Sequence, residues 1–321
     1  MHTNDAELIK TIDAGLSYFV SQLDVMDTKL NMPLTQFTWS RDIKLRSDVS
    51  FANESTSFVR SSFGGVGTQE AQGIPWISPS TNSIPGLSIN GERVVTPLRL
   101  AARELVYSSI ELDRSRLLLQ PIDVTQQRAL IQKWNLETDN YVYIGDAFLG
   151  VTGLLNSAQV ASALVVADGT GSTTPWANKT PDQILRDINE LLASNWAASA
   201  YAVMPTTVGL PPAKLAYLAS QRISNTDTSI LQYVQKNNIA FQQGGANVQF
   251  VPMKRLIGIG AGGTDRMIAY TNDEQYLRFP MVPMRREATY YHSINFHAPY
   301  VWAYGEIEFI FPETVLYRDG I

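Results

Sequence analysis

Apolar residues at Leu8, Ile9, Ile12, Leu16, Phe19, Val20 and Leu23 recur at helical spacing, with Asp5, Lys10, Asp13 and Gln22 between them. The pattern predicts an amphipathic helix whose one stripe needs a covering surface. An ordinary core contact is the commoner cover, and docking on a neighbouring chain is the other.

Residues 28 to 97 change texture. DIKLRSDVSF and STSFVRSSF alternate as strands do, and GGVG, GIP, SPSTNSIPG and INGE then supply one turn after another. Read as one strand, the stretch from Asp42 to Ser61 would span ~65 Å at ~3.3 Å per residue, longer than a globular strand pair needs. The pattern fits an extended arm or flap as well as it fits a turn-rich all-β domain.

Beyond it, TPLRLAARELVYSSIELDRSRL alternates Leu105, Tyr107 and Ser109 against Val106, Ser108 and Ile110, which predicts a strand or strand pair. Asp123 with Gln126 three residues on has a capping-box pattern, opening a helix through Ala129, Leu130 and Trp134 to about Tyr141. That helix feeds directly into GDAFLGVTGLLN, residues 145 to 156. A second helix starts at Thr180, with Pro181 in its first turn, Gln183 reaching back and Ile184, Leu185, Ile188, Leu191 and Leu192 as its apolar face. Downstream, YAVMP reads as a short buried strand, PPAKLAYLASQR and SILQYVQKNN as helices, and VQFVPM and RMIAYTND as strands around a glycine turn. The segment from Phe279 to Leu316 predicts at least two long strands, and no internal repeat is evident.

Composition narrows the chemistry. The 321 residues can bury a large core, and 25 basic against 30 acidic residues leave a charge of -5, too little to draw the whole surface to nucleic acid. With no cysteine, disulfides, thiolate metal sites and cysteine nucleophiles are excluded. The acidic N-terminus does not fit a signal peptide, and no window has the ~18 apolar residues of a membrane span, so a soluble protein is expected.

Candidate motifs lose their chemistry on inspection. Gly258, Gly260 and Gly263 match GxGxxG, but a strand or turn follows instead of the helix that a pyrophosphate site requires. A hairpin turn using positive φ explains them better. Gly145 and Gly150 have Walker spacing without the Lys and hydroxyl that should follow, so Asp146 is read as bonding backbone amides in a helix-terminating turn. His292 and His297, five apart in one expected strand, would point to opposite faces and could not chelate together. No GxSxG elbow occurs, and Lys254, Arg255, Arg285 and Arg286 are expected in salt bridges. No catalytic, cofactor-binding or metal-binding residue is assigned.

The order of parts carries more information than any motif. GIP at residues 73 to 75, LVYSSIEL at 105 to 112, the long helix and GDAFLGVTGLLN follow one another in a sequence that resembles the major capsid proteins of tailed bacteriophages, whose fold the encapsulins share. The likeness covers most of the chain and is sharpest from about 70 to 160. It implies an α+β fold with an N-terminal arm over 1–40, an extended E-loop over 41–97, a peripheral domain from 98–155 and 280–321 around a spine helix at about 123–141, and an axial α/β domain over 156–279. It also implies a non-enzymatic structural protein that assembles, through pentamers and hexamers, into an icosahedral shell around a phage's double-stranded DNA. Scaffold, portal and decoration proteins would be further partners, DNA contact would be weak and non-specific, and no cofactor or membrane is involved. The virion capsid, assembled in the host bacterial cytoplasm, is the expected location. Some relatives cross-link subunits through an E-loop lysine, an asparagine and a catalytic glutamate. Here Lys44 is the only lysine between 41 and 110 and no such glutamate can be matched, so covalent chain-mail is not expected. The alternatives are an encapsulin-like cellular compartment shell, or an enzyme whose site the sequence does not display. On this reading the segment 45–95 contacts neighbours rather than its own core, and deleting it should leave a folded body.

Overall fold

Strand β10 (Arg266–Tyr270) is buried along its whole length, and its alternation sorts the larger part of the protein into two cores. Ile268 and Tyr270 face one core, with Val142, Tyr143, Leu154, Leu155, Phe279 and Tyr317. Met267 and Ala269 face the other, with Trp176, Ile184, Ile188, Leu191 and Leu192. A period of two in a strand buried on both faces produces this division. The computed structural model describes residues 35–66, 79–80, 86–117, 122–223, 226–244 and 247–321. The amphipathic stretch from Leu8 to Leu23 and the GIP turn lie outside them.

By internal contacts the chain forms two units, one holding Leu105–Lys133 and Thr289–Ala298, the other Gln36–Glu104, Trp134–Ala288 and Pro299–Ile321. In chain order the elements are α1 (Trp39–Asp42), β1 (Lys44–Arg46), β2 (Ser55–Val66), β3 (Gly86–Pro97), β4 (Arg99–Ser108), α2 (Ser109–Leu117) and α3 (Ile122–Tyr143). There follow β5 (Gly145–Asp146), β6 (Val151–Thr152), β7 (Ala161–Leu164), α4 (Pro181–Ala198), β8 (Thr207–Leu210), α5 (Pro212–Ser220), α6 (Ile230–Asn237), α7 (Ile239–Gly244) and β9 (Gln249–Pro252). After β10 come β11 (Leu277–Arg286), β12 (Tyr290–His292), β13 (Asn295–Tyr304), β14 (Glu308–Phe309) and β15 (Val315–Asp319).

A five-stranded mixed sheet in the order β7-β15-β10-β8-β9 separates the two cores. Helix α4 covers one face: Ile184, Ile188, Leu191 and Leu192 are fully buried, each stabilising the fold by roughly 1.5–3 kcal/mol. Its start is the expected capping box, with the Thr180 side chain accepting from Gln183 N while the Gln183 side chain accepts from Thr180 N. In the second unit β11 lies at the centre of the other sheet, parallel to β1 and antiparallel to β14 and β13. In the first unit β12 and the start of β13 form a hairpin.

Several expectations need correction. The strand LVYSSIEL stops at Ser108 and Ser109 begins α2. Ser108 N donates to Glu111 Oε2 at 3.3 Å, so the S-x-x-E pattern there is a helix start. YAVMP is not a strand: Ala200 and Tyr201 have φ of 51° and 64° just after α4, and the strand is Thr207–Leu210. The strands around GIGAGG are not a hairpin, because β8 lies between β9 and β10. No single strand runs from Asp42 to Ser61, where β1 and β2 are separate elements. Helix α3 runs from Ile122 to Tyr143, two residues beyond the expected end at about Tyr141. Finally β15 pairs with β10 and β7 while β11 and β13 pair with each other, so the closing strands divide between two sheets.

Candidate functional site

Among the described residues of the second unit, a long ribbon and a tight turn each carry exposed large apolar side chains. Strands β2 and β3 pair antiparallel over their full length, from Ser55 opposite Pro97 to Val66 opposite Gly86. Side chains opposite one another share a face. One face therefore carries Ser57, Val59, Ser61 and Phe63 beside Leu87, Ile89, Arg93 and Val95. Its apolar members are exposed, Phe63 by 82%, Ile89 by 71% and Leu87 by 70%. The opposite face is polar towards the tip, with Ser62, Ser88, Asn90 and Glu92, and buries Thr56 and Phe58 at the base. A two-stranded ribbon is marginal by itself, and a contiguous exposed apolar face marks a surface that another molecule covers.

The ribbon's base is held firmly. Glu308, buried in β14, accepts from Arg46 Nη1 at 2.9 Å and from Arg278 Nε at 2.6 Å. Arg46 also grips Asp48, and this hydrogen bond holds the Asp48 carboxyl below its ordinary range and pushes the guanidinium up. Arg60 donates to the carbonyls of Ile310 at 2.9 Å and Phe309 at 2.6 Å. Just upstream, Tyr143 Oη donates to the buried Asp42 carboxylate, and Tyr270 Oη donates to the Asp42 carbonyl at 2.8 Å. Burial, reinforced by Asp42, pushes the Tyr143 phenol well above its ordinary pKa. Thr38 N donates to Asp139 Oδ1 at 2.8 Å. The stretch from Thr38 to Phe58 thus packs on the body, and the deletion of 45–95 expected to be harmless to folding would remove Arg46 and Phe58. A cut between Ser61 and Gly91 spares both.

The second feature is GDAFLGVTGLLN. It ends α3 and reverses the chain through the β5–β6 ladder, Gly145 opposite Thr152 and Asp146 opposite Val151. As expected, Asp146 Oδ1 accepts from a backbone amide, that of Phe148, at 2.9 Å. The glycines serve different purposes. Gly145 and Gly150 have φ of +83° and +67°. Gly153 is needed for close approach, since a Cβ there would lie 2.4 Å from the Tyr143 carbonyl carbon. Asn156 closes the turn, accepting from Gly153 N at 2.7 Å and donating to Ile144 O at 2.8 Å. Phe148, at the tip, is 95% exposed.

Residues singled out for other chemistry have structural partners. Gly258 N donates to Asp265 Oδ1 and Ala261 N to Asp319 Oδ2, and a strand follows the loop, so nothing there cradles a phosphate. His292 and His297 lie on paired strands of a hairpin, not on one strand, and share a face with ring centroids 6.2 Å apart. The odd-spacing argument therefore fails, although among the described residues no cluster of three metal-ligating side chains occurs. Lys254 and Arg255 lie 3.7 Å and 3.8 Å from Asp139, and Arg285 pairs with Glu287 at 2.5 Å, as salt bridges. Asp187 is buried against Lys179 at 2.5 Å, and desolvation pushes its carboxyl up despite that cation. Among the described residues no helix is long and apolar enough to cross a membrane.

A ribbon with an exposed apolar face, anchored on a two-core body, offers a surface for a partner to cover. The model of the major capsid protein family matches residues 73–321, and the chain belongs to that family. The capsid of Myoviridae phage XM1 is similar in fold, with a TM-score of 0.75 at 17% identity over 94% of this chain and 98% of that one. So are the capsid of the native GTA particle (TM-score 0.59, 12% identity, 92% and 95% covered) and Mycobacterium phage Che8 (0.56, 11%, 92% and 96%). No curated protein matches the sequence. The protein is a structural shell component of a virion capsid that assembles with copies of itself.

Proposed function

We propose that this chain closes, as pentamers and hexamers, into the icosahedral shell of a tailed phage around its double-stranded DNA. The β2–β3 ribbon lies over a neighbouring subunit as the E-loop. The exposed apolar face of that ribbon carries the reading, since five apolar side chains on one face, Val59, Phe63, Leu87, Ile89 and Val95, are exposed among the described residues. Helix α3 serves as the spine of a peripheral domain, and the five-stranded sheet with α4 as an axial domain. Scaffold, portal and decoration proteins act on the assembling shell in the host cytoplasm, and no reaction is catalysed. Many modest heterologous contacts, repeated around symmetry axes, are sufficient to close such a shell.

The phage capsids of like fold favour a virion shell over a cellular compartment shell. Electron microscopy of the purified full-length chain tests the reading, with closed shells of uniform diameter expected. A chain that stays monomeric at high concentration in the presence of its scaffold would overturn it.

A further inference from the structure

We propose that Phe148 and Leu149, the tip of the β5–β6 turn, receive the apolar face of the β2–β3 ribbon from a second copy of this chain. The inference rests on the shell reading and names the counter-surface that reading lacks. Phe148 is 95% and Leu149 42% exposed, although the turn that carries them is tightly built. Asp146 Oδ1 accepts from Phe148 N at 2.9 Å, Ala147 O accepts from Gly150 N at 3.3 Å, and Asn156 locks the base of the turn. An aromatic ring presented to water on a backbone fixed in this way contributes little to its own fold. As an interface anchor, however, it binds without a cost for ordering the turn's backbone, and buried aromatic residues are common hot spots.

The ribbon face and the turn are exposed in the same chain, so neither covers the other. Two different apolar surfaces on one molecule can be satisfied together by a heterologous contact, which closes into a ring when the rotation permits. Charge agrees with apolar character. The described ribbon face carries one charged side chain, Arg93, opposite Val59. The turn carries one, Asp146, two residues from Phe148. Seating the turn on the ribbon allows Arg93 and Asp146 to attract each other, whereas a ribbon-on-ribbon contact adds a second Arg93 to the same interface.

The absence of cysteine makes a disulfide trap free of background. Phe148→Cys is combined in one chain with Val59→Cys, Ile89→Cys or Val95→Cys, shells are assembled, and the oxidised samples are run on a non-reducing gel. At least one pair is expected to give a reducible ladder of multimers that the single variants do not give. Shells that form but yield no ladder with any pair would overturn the proposal and leave the shell reading standing; an unaltered chain that forms no shells would instead overturn that reading. A second variant, Phe148→Ser, guards against cysteine chains that fail to assemble. It should lower the denaturant concentration at which shells dissociate while leaving the unfolding midpoint of the free subunit unchanged. Shells as resistant as wild type would contradict the proposal.

Discussion

Replacing Gly153 with Ala adds one methyl group at the place where the junction turn meets the end of α3. That methyl would stand 2.4, 2.5 and 2.6 Å from the carbonyl carbon and oxygen of Tyr143 and the nitrogen of Ile144. Ordinary carbon contacts begin near 3.5 Å, and all three atoms are backbone, so the turn must retreat by about 1 Å. Retreat stretches the bonds from Leu154 N to Val142 O (2.8 Å) and from Leu155 N to Tyr143 O (3.0 Å), each worth about 1 kcal/mol. Overpacking adds about 1–3 kcal/mol, for a total of about 3–5 kcal/mol. Gly150→Ala is the internal control: its Cβ meets nothing within 4 Å, so only the φ of +67° is penalised, by about 1–2 kcal/mol. Urea unfolding of unassembled subunits, followed by tryptophan fluorescence, should rank Gly153→Ala as clearly the more destabilised. Equal losses for the two variants would refute the close-approach argument.

Two further expectations concern the ribbon's root. Glu308→Gln leaves the Arg46 and Arg278 guanidinium groups without their buried carboxylate, and should cost about 3–5 kcal/mol with faster amide exchange in β1 and at the base of β2, measured by hydrogen exchange. Asp48 has a carboxyl depressed by Arg46, so its stabilisation is present above the unfolded pKa and is lost as pH falls through the folded one. Because Asp48 is mostly exposed, solvent screening limits the effect to about 0.5 kcal/mol. Asp48→Asn should flatten the acid limb of a stability–pH curve by that amount, and a curve of unchanged shape would show the pair to be inert.

Local rules were legible in the sequence wherever partners lie within a few residues. The Thr180–Gln183 box, the Ser229 start of α6 and the Asp146 turn are all set by side chains reaching one turn along the chain. The S-x-x-E pattern at Ser108–Glu111 carried the same signal, but apolar alternation through Tyr107 masked it. YAVMP looked like a strand because its composition is apolar. Two residues of positive φ and the bond from Trp196 Nε1 to Tyr201 O make it a helix end instead. Other features depend on partners far away. Nothing local tells Val315–Asp319 to join β10 and β7, and the spacing of His292 and His297 concealed the turn at Ser293 that folds them onto one face. The apolar ribbon face was readable only as alternation, because whether Phe63 is core or uncovered surface depends on what the rest of the chain leaves open.

In the proposed shell the outer part of the β2–β3 ribbon supplies contacts that the body alone does not replace. Joining Ser61 to Gly91 through an Asn-Gly turn keeps the paired base with Phe58, Arg60 and the Glu308 cluster, and removes Phe63, Leu87 and Ile89. Sedimentation velocity of this chain beside the unaltered one is the most direct measurement. A folded subunit or small oligomer is expected for the shortened chain where the unaltered chain sediments as shells. Shells of normal size and yield from the shortened chain would contradict that role of the ribbon.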